Sequence, residues 1–540
     1  TYDLVGGKVV ATKMSNDAVF DERVNKYIDN KKFTLPGVKE GSVIEYTYKI
    51  YSDIWYLFPN WEFQSTIPTR YSEFRARIPE YFYYQQYMQG YVLVSDYTRN
   101  VQAQKDYNIN VHRWVVNNVP AFKPEPFMSG KDPYISRINF ALSSIIVPGS
   151  IHEDWSNWAR VTGGLAESEY FGKVVEGSGF LKKKVEELTA GITEPEKKIE
   201  VIYNYVKDNI EWNKEDDYST DTPSLKKVFD DKKGNAAEIN LALVCMLQKA
   251  DILAMPVLTS TKDHGLVREQ FAMQKQFNYT LCMVKLGDKQ MFLDATDRML
   301  PMDLIPERCK NGRGLAIAEK TYSWVDLESG TKSKTTTQVS MQLTEDMTLE
   351  GKIDFTYSGY DARETRNAIK EEGKDEYLKQ RFAGTSWETK SSEIKNQESL
   401  NNNLVESYEL SIQDHVNVAG DVVYIDPFIV SRTKENPFKA EKRVYPIDFG
   451  NAFDKVYILN LTIPANYKVE ELPENKAMLL PGGGGRYMYN VTNNGNVVTI
   501  TSMMSINKSQ FTQTDYPILR EFYNQVVAKQ AEQIVLKKAN

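Results

Sequence analysis

The sequence predicts an α+β multidomain chain in which β-rich regions flank a helical centre. Three observations predict it. The chain has 540 residues, too many for one ordinary core, so about three or four domains are expected. Its two ends alternate apolar and polar residues at period two. Its middle carries apolar residues at helical period, followed by a new run of strand patterns.

Residues 1–150 read as a β-sandwich. In "PGVKEGSVIEYTYKIYSD", Ile44, Tyr46, Tyr48 and Ile50 fall on one face, with Glu45, Thr47 and Lys49 on the other. That pattern predicts a half-buried antiparallel strand. "YVLVSDYT" and "VHRWVV" continue the β patterning, and two packed sheets follow from it. The first residue is Thr, so the chain is expected to be processed or truncated, and a strand of this domain could precede Thr1.

Residues 151–325 read as an α+β core. Thr193 and Glu196 have capping-box spacing with Pro195 in the first turn. Ile199, Ile202, Tyr203, Val206 and Ile210 then recur at helical period. A second helix begins near Ala236 and is apolar on all sides, which predicts a buried helix. Three strands follow in "PVLTST", "NYTLCMVKL" and "KQMFLDAT", the last two joined by a Gly-Asp hairpin turn.

Residues 326–338, "DLESGTKSKTTTQ", are polar and read as a linker. The region 339–540 returns to β patterning, in one or two subdomains, with a charged helical stretch over about 361–383 and a closing amphipathic helix. "PGGGGRYMYN" lacks the Lys-Ser/Thr of a phosphate-binding loop, so nucleotide binding there is rejected.

The bulk composition excludes several functions. A net charge of −7, from 66 basic and 73 acidic residues, argues against general nucleic-acid binding. No run is long and apolar enough for a membrane span. Cys245, Cys282 and Cys309 form no CxxC pair, which predicts neither a zinc site nor a disulfide scaffold. His112, His152, His264 and His415 are scattered, so no metal and no cofactor is expected.

The stretch "KKGNAAEINLALVCMLQKADILAMPV" holds the candidate site. Its Gly-Asn turn runs into the buried helix, where the positive end of the helix dipole favours a thiolate. Together with "IYNYVKDNIEWN" and "FNYTLCMVKLGDKQMFLDATD", it resembles the bacterial transglutaminase-like superfamily. It looks most like a multidomain branch whose core is flanked by uncharacterised β-rich domains. "LPGVKEGSVIEYTYKIYSD" and "WEFQSTIP" resemble that branch's leading domain; "PANYKVEELP" and "VVAKQAEQIVLKK" resemble its trailing one. The resemblance implies a papain-like α+β core with catalytic residues in the order Cys, His, Asp. Matched position by position, the Cys follows Gly234-Asn235 and is replaced by Ala236. The His follows Phe277-Asn278 and is replaced by Tyr279. Only Asp294 is retained.

The other cysteines offer no obvious substitute. Cys245 lies nine positions after Ala236, which at about 100° per residue puts it on the opposite side of the helix. Cys282 reads as a core hydrophobe, and Cys309 sits in a loop-like segment where it could be accessible. Tyr279 is expected to hydrogen-bond Asp294, because a buried carboxylate without a partner is costly. Glu238, in the first helical turn, suits the helix dipole, and a Glu238–Asp294 acid pair has no supporting second shell. Trp212 matches a family aromatic near the cleft but equally suits core packing. His264 reads as a solvated turn residue. Trp212, Asn235, Glu238 and His264 are the candidate binding residues.

With the Cys and His replaced, the chain is expected to be non-catalytic and to bind a peptide, protein or glycan in a vestigial cleft, and the resemblance implies a bacterial envelope setting, periplasmic or at the cell surface. An active transglutaminase or cysteine-peptidase-like enzyme with a displaced nucleophile is one alternative. A structural subunit of an envelope complex is the other.

Overall fold

The computed structural model describes residues 1–23, 29–50, 58–154, 157–302, 304–318, 321–328 and 330–539. It divides into two units, Thr1–Leu57 and Phe58–Asn540.

The first unit contains two antiparallel hairpins, Tyr2–Val5 with Lys8–Ala11 and Val19–Arg23 with Asp29–Phe33. The strand expected over 44–50 does not form. Only a Tyr2–Val43 bridge approaches it, and Tyr46, Tyr48 and Ile50 are 61%, 66% and 79% exposed. Period-two alternation specifies a face, but a strand also needs a paired edge, and no ladder of the described residues reaches this segment. Residues 51–53 of that stretch lie outside the described residues.

The sandwich expected over 1–150 therefore begins in the second unit. Thr69–Pro79, Asn108–Val119 and Asp96–Ala103 form one sheet. Arg137–Val147 pairs with Phe82–Gln89, Trp61–Glu62 and Ile151–Asp154 in the other. Phe74 and Trp114 from the first sheet each lie 5.7 Å from the Phe140 ring of the second, so the two inner faces share one aromatic core.

The core domain has two long helices, α1 (Pro195–Asn209) and α2 (Ala236–Lys249). Helix α1 is capped by Glu194 rather than Thr193, and no side chain bonds to its first amides. Pro195 at the first position needs no partner for its nitrogen, which fixes the start one residue later than the capping-box spacing suggests. Residues 236–247 of α2 are all buried. The helix packs on a five-stranded sheet of β1 (Leu253–Thr259), β2 (Tyr279–Leu286), β3 (Lys289–Leu293), β4 (Arg313–Ala318) and β5 (Thr321–Asp326), in the order β3-β2-β1-β4-β5. Every pair is antiparallel. Gly287, at φ +59°, supplies the left-handed residue of the β2–β3 turn.

The sandwich and core touch at Lys275, whose ammonium donates to the Phe140 carbonyl. Burial, and then Arg137, push its pKa down to about 8. The unfolded lysine titrates near 10.4. Between these values the unfolded chain binds more protons, so stability should rise as pH rises from about 8 to 10, by at most about 3 kcal/mol. Denaturant unfolding at pH 7, 8, 9 and 10, read at the transition in which the sandwich–core contact is lost, tests this, and Lys275→Met should remove the rise. An unchanged rise in that variant would assign it to another group.

The expected linker 326–338 is mostly strand. Ser333 opens β6 (Ser333–Leu343), which pairs with β7 (Leu349–Ser358) and runs parallel to Phe453–Thr462. The polarity misleads because the inward positions Ser333 and Thr337 are small and hydrogen-bonded. Ser333 Oγ accepts from the Tyr360 amide at 3.0 Å, and the Thr337 and Ser431 hydroxyls lie 3.1 Å apart. The full sheet has eight strands, adding β8 (Glu388–Lys395), β9 (Leu404–Ile412), β10 (Phe453–Thr462), β11 (Lys476–Leu480), β12 (Gly485–Asn494) and β13 (Val497–Ile506). Their order is β8-β9-β7-β6-β10-β13-β12-β11. Helix α3 (Gly359–Glu372) packs on β6 and β7, and the charged stretch continues as a short helix, Lys374–Gln380. Helix α4 (Tyr516–Gln530) buries Leu519, Phe522, Tyr523 and Val526 in the same core as the sheet. The fold does not end there as expected. Ile534–Lys538 adds a strand between Val422–Ile425 and Tyr467–Glu471.

Candidate functional site

The site begins at the N-terminus of α2. Asn235 is the cap, and its side chain accepts from the Glu238 amide at 2.9 Å. Glu238 returns the bond by accepting from the Asn235 amide at 2.9 Å, and it also accepts from the Asp221 amide at 3.1 Å. Burial pushes the Glu238 pKa up. Glu238 is thus a cap, and it makes no bond to Asp294. Gly234 fits this closeness, since a Cβ there would meet Glu238 Cβ and Oε2 and Val228 Cγ1 at 3.0 Å and would press on the cap.

Ala236, Tyr279 and Asp294 are all fully buried, and Ala236 belongs to the same apolar cluster as Tyr279. The sheet register brings Tyr279 and Asp294 together. Leu293 ends β3 opposite Cys282, so Asp294 continues toward the start of β2, where Tyr279 stands. The Tyr279 hydroxyl donates to Asp294 Oδ2 at 2.8 Å, and Asn240 Nδ2 donates to the same oxygen at 2.9 Å. The Thr296 amide donates to Oδ1 at 2.9 Å, and the Thr296 hydroxyl bonds there as well. Burial first, then the Asp294 charge, raise the Tyr279 pKa well above its ordinary value, so the phenol is neutral and donates.

Arg308 closes the group. Its Nη2 donates to the Tyr279 oxygen at 3.1 Å, and its Nε lies 3.6 Å from Asp216. The guanidinium is 4.5 Å from the Trp212 ring centroid and 5.1 Å from that of Tyr279. Burial disfavours its charge, but Tyr279, Cys309, Asp294 and Asp216 more than offset this and hold its pKa up. Lys214 covers Trp212 at 4.8 Å, and the indole nitrogen donates to the Glu215 carbonyl at 3.0 Å. Trp212 and Arg308 line a cavity of about 360 Å³ with Thr296, Arg298 and, from α3, Arg363 and Lys370.

The remaining candidates are placed differently. Cys309 is fully buried beside Tyr279 and Ala236, not accessible, because a 3-10 turn over Glu307–Cys309 folds it inward. Burial raises its thiol pKa well above the ordinary value. Cys245 is buried too, and burial pushes its thiol up to about 12. Burial likewise raises that of Cys282. All three are protonated near neutral pH. His264 is half-buried rather than solvated, because its Nδ1 lies 2.9 Å from Ser260 Oγ. Burial lowers its pKa, and it makes no bond to Tyr279 or Asp294.

Sequence reasoning missed Asn240, Thr296 and Arg308. Asn240 carried a signal, as the one amide inside an otherwise apolar stretch of a buried helix. Arg308 carried none, since its stacking partners are distant in sequence.

Residues 182–288 match the Transglutaminase-like superfamily. Residues 11–123 and 421–536 match two domains of unknown function, DUF3857 and DUF3858. No curated protein matches in sequence. Among solved structures, a "putative protease" from Parabacteroides distasonis is similar over 98% of this chain and 86% of its own, with 12% identity and a TM-score of 0.59. At that identity the likeness concerns fold alone. A "putative cysteine protease" from Cytophaga hutchinsonii matches 48% of this chain and 88% of its own at 12% identity, and its TM-score of 0.20 supports no argument. The chain carries a transglutaminase-like core domain flanked by the two domains of unknown function.

Proposed function

We propose that this is a non-catalytic transglutaminase-like protein that binds a peptide, protein or glycan in the cleft over the old catalytic positions. One observation carries the reading. The retained Asp294 is satisfied by a tyrosine hydroxyl, an amide and a threonine, beneath a guanidinium that stacks on Trp212. Acyl transfer by this family's chemistry needs a thiolate with an imidazole beside it. At these positions stand a methyl group and a neutral phenol. The edge of the arrangement, half-buried at Trp212 and Arg308 and exposed at Lys214, suits ligand binding, because these three combine an aromatic face with hydrogen-bond donors. The envelope setting, periplasmic or cell-surface, is proposed from the family resemblance.

The test is amine incorporation and peptide hydrolysis over a panel of glutamine-bearing peptides, with Asp294→Asn as control. No turnover is expected from either protein, and saturable peptide or glycan binding is expected from the native one. Turnover that disappears in Asp294→Asn would overturn the reading and assign a surrogate nucleophile. Turnover in the double variant Ala236→Cys/Tyr279→His would support it, as a cleft that lost only its reactive groups.

A further inference from the structure

A second cleft, outside the old catalytic positions, holds a buried cation that no described carboxylate pairs with. Lys207 lies in the last turn of α1 and is only 5% exposed. Its ammonium sits 4.9 Å from the centroid of the Tyr203 ring, one turn earlier on the same face. Tyr203 is held by its hydroxyl, which donates to the carbonyls of Asp294 and Leu300 at 3.0 and 3.2 Å. Among the described residues, no carboxylate forms an ion pair with Lys207. Asp208 and Asp297 act on it only through their fields. Asp297 is already committed to Arg363 at 2.7 Å. Burial pushes the Lys207 pKa down, as it must for a desolvated ammonium.

Lys207 and Tyr203 line a cleft of about 650 Å³ between α1 and the 397–401 segment. Arg298 and Lys370 also line it, and neither has an ion-pair partner among the described residues. Asn204, Ser399 and Asn401 add neutral polar groups. Three carboxylates share the cleft. Glu200 is tied to Lys197 at 3.1 Å and to Asn401 at 3.0 Å. Asp208 and Glu398 are exposed, where water screens them. A buried cation is ordinarily matched by an anion, and the cleft that this residue lines is large enough for a small molecule.

We propose that this cleft binds a small oxyanion ligand carrying two or more negative charges, with one anionic group paired to Lys207 and the remainder held by Arg298 and Lys370. Phosphate and dicarboxylate share the required chemistry, and the test separates them. Arg298 and Lys370 line both this cleft and the Trp212–Arg308 cavity, whereas Lys207 lines this one alone, so Lys207 variants separate the two sites whether or not the old one is catalytic.

Calorimetric titration of the full chain with inorganic phosphate, and separately with succinate, at matched ionic strength in chloride, tests it. Saturable binding of at least one anion is expected, and the one that binds identifies the ligand class. Lys207→Met, which keeps the apolar stem, should weaken that binding by about tenfold or more while melting no lower than the native protein in chloride. Lys207→Arg should keep binding within a few-fold. Should Lys207→Met fail to fold, the exposed pair provides the check, and Arg298→Ala and Lys370→Ala should each weaken binding by about threefold. No saturable binding of either anion, or binding equal in the native protein and the variants, overturns the proposal.

Discussion

Replacing Asp294 by Ala should destabilise the core domain by about 3 to 5 kcal/mol, the range for removing one member of a buried charged network. The carboxylate is fully buried and accepts from Tyr279, Asn240 and Thr296. Truncation leaves those donors facing a void. Asn240 keeps its bond to the Thr280 carbonyl at 2.9 Å, and the Tyr279 hydroxyl keeps Thr296 Oγ1 at 3.1 Å. The Thr296 amide loses the acceptor its bond shows. Arg308 loses one of the charges that offset its burial. Asp294→Asn should cost less, about 1 to 3 kcal/mol, because the shape survives and one oxygen still accepts while the new amide faces donors. Tyr279→Phe should cost about 1 kcal/mol, and its effect should shrink in the Asp294→Ala background because the two share one bond. A multidomain chain does not unfold in one step, so the measurement is amide exchange on α2 and β2 rather than a global melt. Unchanged protection of these segments in Asp294→Ala would mean that the network contributes nothing to holding the sheet on the helix.

This network shows how far the sequence could be read. The buried helix was legible because its apolar residues fill every face between a Gly-Asn turn and Lys249. The Tyr279–Asp294 bond was legible because the two positions flank a short hairpin and a lone buried carboxylate needs a donor. Arg308 was not legible, because its role depends on Trp212 and Tyr279 meeting across the tertiary fold. The strand expected at 44–50 failed for the opposite reason. Its alternation was plain in Ile44, Tyr46, Tyr48 and Ile50, but pairing is a long-range property that alternation does not encode. Strand β6 was hidden because Ser333 and Thr337 take inward positions normally filled by apolar residues. Their hydroxyls find partners on Tyr360 and Ser431, which a local reading cannot know. Cys309 looked accessible for a similar reason, since only the packing of its turn against Tyr279 and Ala236 buries it.

The 396–402 segment should lose its shape in Arg366→Met, with a cost of about 2 to 4 kcal/mol. Arg366 projects from α3 and is 1% exposed. Its Nε donates to the Gln397 carbonyl at 3.1 Å. Its Nη2 faces the carbonyls of Asn396, Ser399 and Asn402 at 3.1, 3.0 and 2.8 Å. One guanidinium thus gathers four carbonyls of a segment that has little apolar anchorage, since Asn396, Glu398, Asn401 and Asn402 are exposed. Each charge-assisted bond is worth about 1.5 to 3 kcal/mol, but the freed carbonyls lie near water and recover part of that by rehydration, so the net loss is smaller than the sum. Burial lowers the Arg366 pKa and Glu398 opposes the shift, so the charge is held chiefly by carbonyl dipoles. Lys cannot replace it well, because one ammonium does not reproduce the planar fork that serves several acceptors, and Arg366→Lys should fall between the native protein and Arg366→Met. The consequence extends to the second cleft, whose wall includes Ser399, Leu400 and Asn401. Arg366→Met should therefore admit protease within 396–402 and also weaken anion binding at Lys207, although Arg366 itself does not line that cleft. Native-like resistance to cleavage in Arg366→Met would show that β8 and β9, not the guanidinium, hold the segment. Loss of the segment's protection with undiminished anion binding would place the ligand on Lys207, Arg298 and Lys370 alone, with Ser399 and Asn401 contributing nothing.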